Sequence, residues 1–176
     1  MKSDYRVRAT KFLRSLWRYL REVNIMDTDE VQWAVERYMA DHPSRRISVC
    51  YGAARVAIIT SDYVIKWDYD EETAEEIGGC EAEQWIYFNA KRAGFGYLFA
   101  EITPLEYEGY DFVIMPKIPN VQKRKDSIKN HLNYYENEYI KSIRLVDLHS
   151  YNWGMKNNKP VIIDYAYIDN YEAESE

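Results

Sequence analysis

Two aspartates and an asparagine late in the chain have the spacing most suggestive of chemistry. The run Leu145-Val146-Asp147-Leu148-His149-Ser150-Tyr151-Asn152 sets an Asp and an Asn five positions apart. About a dozen residues further on, Val161-Ile162-Ile163-Asp164 brings a second Asp to the end of an apolar strand. A loop after a helix would hold the first pair, and a short hairpin would deliver the second Asp. Phosphoryl transfer uses such a set. One carboxylate orients the attacking hydroxyl and accepts its proton, while an amide oxygen and a second carboxylate hold magnesium against the phosphates. Hard oxygen ligands suit that ion. The same residues also suit an ordinary loop and hairpin whose Asp and Asn cap turns.

The elements that must position these groups are written in the hydrophobic pattern. Residues 4–24 place Phe12, Leu13, Leu16, Trp17, Leu20 and Val23 at a helical period with one buried face. Arg8, Lys11, Arg14, Arg18 and Arg21 fall on the other face. That face is solvated or paired with the acidic run 68–76, or else it docks on nucleic acid or an acidic partner. Asp27 with Glu30 marks the start of a second helix reaching about Ala40, and Asp41-His42-Pro43 stops it. From Arg46 the period becomes that of strands. Ile47–Tyr51, Arg55–Thr60 and Tyr63–Tyr69 form a three-strand meander with turns at Gly52 and at Thr60-Ser61-Asp62. Cys80–Arg92 reads as a helix, Tyr97–Leu105 and Tyr110–Met115 as a hairpin around Glu108-Gly109, and about Ile128–Ile143 as a further helix. Trp153–Lys156, an Asn157-Asn158 turn and Pro160–Asp164 follow, before an acidic tail that reads as frayed.

Composition narrows the class. The 176 residues suit one globular domain with a helical appendage, and 47% hydrophobic content with 17 Tyr and 5 Trp excludes a disordered chain. A formal charge of −6 argues against a general nucleic-acid binder. Cys50 and Cys80 form no CxxC pair, so neither structural zinc nor a disulfide framework is indicated. No segment approaches the roughly 18 apolar residues of a membrane span. A soluble protein of a reducing cytoplasm is expected, with no membrane partner.

Asp147-x-x-x-x-Asn152 matches the spacing of the H-R-D-L-x-x-x-N catalytic loop, and Asp164-Tyr165-Ala166 stands where D-F-G would. On these residues the chain resembles the protein-kinase superfamily. The wording Asp-Leu-His-Ser-x-Asn looks closest to the aminoglycoside-phosphotransferase-like and small phage or bacterial kinase-like branches, in which His149 replaces the usual Lys. The resemblance spans roughly residues 48–166. It implies an α+β, two-lobe fold: a five-stranded antiparallel N-lobe sheet with one helix, and a reduced helical C-lobe. The corresponding segments are a helical hairpin over 1–45, an N-lobe over 46–118, a C-lobe over 119–170 and a tail over 171–176.

The family's other roles carry over position by position. Lys66, set inside the apolar run Tyr63-Val64-Ile65-Lys66-Trp67, matches the V-A-I-K strand whose Lys reaches the α- and β-phosphates and pairs with a Glu of the next helix. A buried Lys needs such an anionic partner. Glu83 is preferred over Glu81, because Trp85, Ile86 and Phe88 or Asn89 then lay out a packing face beside it, while Glu81 stays open. Tyr51-Gly52-Ala53-Ala54-Arg55-Val56 keeps one Gly of the phosphate loop at Gly52, with Arg55 as a possible phosphate contact or a plain solvated residue. Met115 would back an adenine pocket. Pro116 lacks an N–H, so the purine contact falls to Lys117 or Ile118.

Departures set the limits of what the resemblance implies. Leu145 and Val146 replace the His and Arg before Asp147, and Ala166 replaces the Gly after the metal Asp. No activation segment is expected after Ala166, and the second lobe is minimal, to be completed by the N-terminal hairpin or by a homodimer. The expectation is an ATP- and Mg-dependent phosphotransferase acting on a protein or small-molecule hydroxyl, in the cytoplasm of a bacterium or of a phage host. The alternative is a pseudokinase, a nucleotide-binding or protein-interaction module without catalysis. In the first case Asp147, Lys66 and Asn152 carry catalysis, and Asn152 with Asp164 holds the metal.

Overall fold

The chain divides into two compact units, Met1–Ala74 with Ile102–Lys117, and Glu75–Glu101 with Ile118–Glu176. The structure, a computed structural model, describes residues 4–119, 128–145, 148 and 151–165.

The first unit begins with two helices, α1 (Tyr5–Leu20) and α2 (Thr28–Asp41). Asp4 caps α1 by accepting from the Arg6 amide at 3.0 Å. Asp27 caps α2 by accepting from the Asp29 and Glu30 amides at 2.9 and 3.1 Å. The Glu30 carboxylate reaches further back than a capping box requires, accepting from the Asn24 amide at 2.7 Å. Along α1, Ala9, Phe12, Leu13, Leu16, Trp17 and Leu20 are buried, the i, i+3, i+4 stripe that the sequence displays.

That stripe covers one face of a five-stranded antiparallel sheet. Strands β1 (Ser48–Tyr51), β2 (Arg55–Ile59), β3 (Tyr63–Asp68), β4 (Thr103–Tyr107) and β5 (Tyr110–Pro116) lie in the order β1-β2-β3-β5-β4. Val56, Ile58, Ile65, Trp67, Phe112 and Ile114 share the core with α1 and α2. The indole N–H of Trp67 donates to the Ile25 carbonyl at 3.1 Å, pinning the link between the helices to the sheet. Pro104 is accommodated because β4 is an edge strand. The β4–β5 turn uses Glu108 and Gly109 at φ 54° and 82°, the left-handed pair a two-residue hairpin demands.

The second unit holds the end of α3 (Glu71–Ile77), then α4 (Cys80–Arg92), α5 (Tyr134–Ser142) and a hairpin of β6 (Trp153–Lys156) and β7 (Lys159–Ile162). Helix α4 ends in a Schellman arrangement. Gly94 takes φ 84°, the Phe95 amide bonds the Ala90 carbonyl at 2.8 Å, and the Gly94 amide bonds that of Lys91 at 3.3 Å. Asn157 and Asn158, at φ 53° and 62°, close the β6–β7 hairpin as the sequence suggests.

Two sequence expectations change, and the acidic run adds an element that the hydrophobic pattern does not mark. Residues 71–77 are helical, started by Asp70, which accepts from the Thr73 amide and hydroxyl at 3.1 and 2.7 Å. The strand expected over Tyr97–Leu105 is a 3-10 turn at Gly96–Leu98 followed by β4. There the chain is drawn to β7 instead, with Phe99 bridging Ile162 and the Ala100 amide donating to the Ile162 carbonyl at 2.7 Å. The helix expected over 128–143 is broken at Leu132-Asn133. Asn133 and Glu136 form a capping box that begins α5 after a separate 3-10 turn.

Candidate functional site

Lys66 sits on the third strand, opposite Ala57 of β2 and Val113 of β5. Its neighbours Ile65 and Trp67 face the helices, so period-2 alternation sends Lys66 to the other face of the sheet, together with Val113 and Met115. Lys66 is 6% exposed, and Val113 and Met115 are buried as well. Lys66 is therefore a buried basic residue on the sheet face opposite the helices.

Gly52 opens the β1–β2 turn. Its amide donates to the Arg55 carbonyl at 2.8 Å, which spends that N–H within the turn. The Tyr69 hydroxyl lies 3.0 and 2.8 Å from the carbonyl oxygens of Gly52 and Ala53. This tie is invisible in the sequence, where Tyr69 reads only as the end of a strand. The strand register sets Arg55 opposite Asp68, an opposite-charge cross-strand pairing. Beyond β5, the Lys117 amide donates to the Asp62 carbonyl at 2.9 Å. Of the two amides considered for a purine edge, Ile118 therefore remains. The boundary between the two compact units falls between Lys117 and Ile118.

In the second unit, Glu83 lies on the inner side of α4 at 0% exposure, with Cys80, Ile86, Tyr87 and Ala90, while Glu81 is exposed. Glu83 is thus the inward-facing glutamate of the two, and of the packing face expected beside it Ile86 is buried. Trp85 and Phe88 point outward, 52% and 39% exposed.

Asn152 precedes β6 and is buried. Its carbonyl oxygen accepts from the Ile163 amide at 2.7 Å and from the Asp164 amide at 3.3 Å. The β6–β7 hairpin, paired Trp153 to Ile162, brings these distant positions side by side. The next residue is the anchor. Tyr165 is buried, its hydroxyl donates to the Ala100 carbonyl at 2.8 Å, and its ring meets Phe99 edge-on at 5.0 Å. Asp164 is thereby fixed on both sides, by its own amide and by the Tyr165 ring that follows it. Gly154 also matters to this hairpin. A Cβ there would lie 2.5 Å from the Pro119 oxygen, which accepts from the Met155 amide at 3.2 Å. Asp147 and His149 lie outside the described residues, while Leu148 between them is buried.

Asn152 and Asp164 supply an amide and a carboxylate oxygen, the donor chemistry magnesium takes. Among the described residues, no three or more His, Cys, Asp or Glu side chains gather as a metal site. No described helix is long and apolar enough to cross a membrane. Comparisons of the chain with family models, curated proteins and solved structures gave no match.

Proposed function

We propose that the protein is a kinase-like phosphotransferase that uses ATP and magnesium to phosphorylate a protein or small-molecule hydroxyl. The observation that carries the reading is the juxtaposition of Asn152 and Asp164 through the Asn152 carbonyl. Magnesium held by those two side chains would neutralise the phosphate charge that develops during transfer. Lys66, on the third strand as in the V-A-I-K motif, is assigned to the α- and β-phosphates. Met115 and the Ile118 amide are assigned to the adenine. Asp147 is assigned to the attacking hydroxyl as its orienting base.

The test is a melting-temperature shift with ATP, with and without magnesium. Asp164→Ala is expected to lose the magnesium-dependent part of the shift. Asp147→Ala should keep the shift and lose turnover, by a factor of about 10² or more. Turnover that persists undiminished in Asp147→Ala removes that residue from the role.

A second reading is favoured by the turn at Gly52. Its amide is engaged within the turn, and the neighbouring carbonyls sit against Tyr69, which suits a pseudokinase, a nucleotide-binding or protein-interaction module without transfer. That reading expects no phosphate released or transferred, with an ATP shift if the module binds nucleotide and none if it serves protein interaction.

A further inference from the structure

One cleft of about 450 Å³ lies wholly within the first unit, among α1, the segment joining α2 to β1, and the β2–β3 turn. Four cations line it, Arg8 and Lys11 from α1 with Arg45 and Arg46 from the segment, against one carboxylate, Asp62. The whole chain carries a formal charge of −6, so this is a local reversal of sign. Low-dielectric walls concentrate such a field on whatever enters.

The parts are held in place. Asp62 fixes the Arg8 guanidinium through Nη2 at 3.3 Å. The Nε of Arg8, shielded from solvent, has no hydrogen-bond partner among the described residues. Thr60 makes the turn rigid. Its hydroxyl donates to the Tyr63 carbonyl at 2.9 Å and accepts from the Tyr63 and Asp62 amides at 3.1 and 3.3 Å. Ser15, Ser44 and Ser61 add hydroxyls to the wall, and Phe12 and Tyr63, both buried, form an apolar floor. The Tyr63 phenol is pushed up to about 12 by burial, so the floor adds no negative charge near neutrality.

We infer that this cleft binds a phosphoryl dianion, either free phosphate or a small phosphate monoester. Guanidinium forks meet phosphate oxygens in a bidentate manner, and the hydroxyls fill the remaining acceptor positions. The cavity is of the size that small ligands occupy. A nucleic-acid backbone fits less well, because the protein as a whole is acidic. The inference is independent of the ATP-binding reading, since none of the residues assigned to that reading lines the cleft.

Calorimetric titration of the full chain, without magnesium and at constant ionic strength, tests it. The probes are inorganic phosphate, pyrophosphate and O-phosphoserine. Binding of at least one is expected. It should be weakened about tenfold or more in the Arg45→Gln/Arg46→Gln double variant, with the unliganded melting temperature unchanged. The Lys11→Gln variant provides a second lever should the double variant fold poorly, and a smaller loss is expected there. Lys66→Ala should bind the same probes as the native chain. A preference for inorganic phosphate assigns the free anion, and a preference for O-phosphoserine assigns a monoester. Absence of heat with all three probes overturns the inference. So does an affinity that survives in the cleft variants, or one that Lys66→Ala abolishes.

Discussion

Tyr63 shows how one residue's surroundings set its chemistry. Burial against Phe12 pushes its phenol up from 10.0 to about 12, outweighing the opposing pull of the Arg45 charge. The folded value lies above the unfolded one, so the associated stability is complete below pH 10 and drains away as pH rises towards 12. Linkage bounds the loss at about 2 to 3 kcal/mol. Urea unfolding across that window should show the loss in the native chain and a smaller one in Tyr63→Phe. Individual residues were legible in the sequence where burial contradicts polarity. Lys66 stands out because a Lys inside an apolar strand is anomalous, and Glu83 because the helix phase turns it inward. Tyr165 and Tyr69 were not legible as anchors, because their hydroxyl partners, Ala100 and the Gly52–Ala53 turn, lie 65 and about 17 positions away. A tyrosine among 17 carries no mark of which one is tied down.

Elements were legible to the extent that their own period decides them. The helices α1, α2 and α4 and strands β2, β3 and β5 follow the apolar pattern closely, because each buries one stripe or one face. The pattern misleads where a distant strand competes for the chain, as at Phe99 and Ala100, which pair with Ile162. It also misleads where a side chain cuts a helix in two, as Asn133 does. Close backbone approach is likewise silent in the sequence. At Gly154 an added Cβ would meet the Pro119 oxygen at 2.5 Å and Ile118 Cγ2 at 2.9 Å, both on the strap that follows β5. Gly154→Ala is expected to destabilise the protein by about 1–3 kcal/mol in denaturant unfolding. At Gly52 the nearest atom to such a Cβ is the Arg55 oxygen at 3.7 Å. Gly52→Ala should stay within about 0.5 kcal/mol of the native chain. Equal effects at the two positions would contradict this account of the β6–β7 hairpin.

The molecule's first unit depends on helices that the kinase-like resemblance does not cover. Eleven of the eighteen buried residues in its core cluster come from α1, α2 and the link between them. Deleting residues 1–42 would uncover Trp67, Phe112 and the aliphatic side chains around them, far more than the sheet can leave exposed. The truncated protein is expected to aggregate or to melt without a cooperative transition. A cooperative, monodisperse fragment would instead make the hairpin a dispensable arm. The sequence revealed the hairpin and its amphipathic stripe, but not which surface the stripe would cover. Amphipathicity gives a face without naming its partner.

The strand order has a temporal meaning as well. β5 lies between β3 and β4, yet 41 residues separate the end of β3 at Asp68 from the start of β5 at Tyr110, and most of them belong to the other unit. A growing polypeptide therefore presents β3 with an unpaired edge until Pro116 has been synthesised. At ordinary translation rates that interval is roughly 2–10 s. Throughout it the rim of β3 is a template for pairing with other chains. Nascent chains arrested between these two strands should be the form most sensitive to protease and most dependent on chaperones.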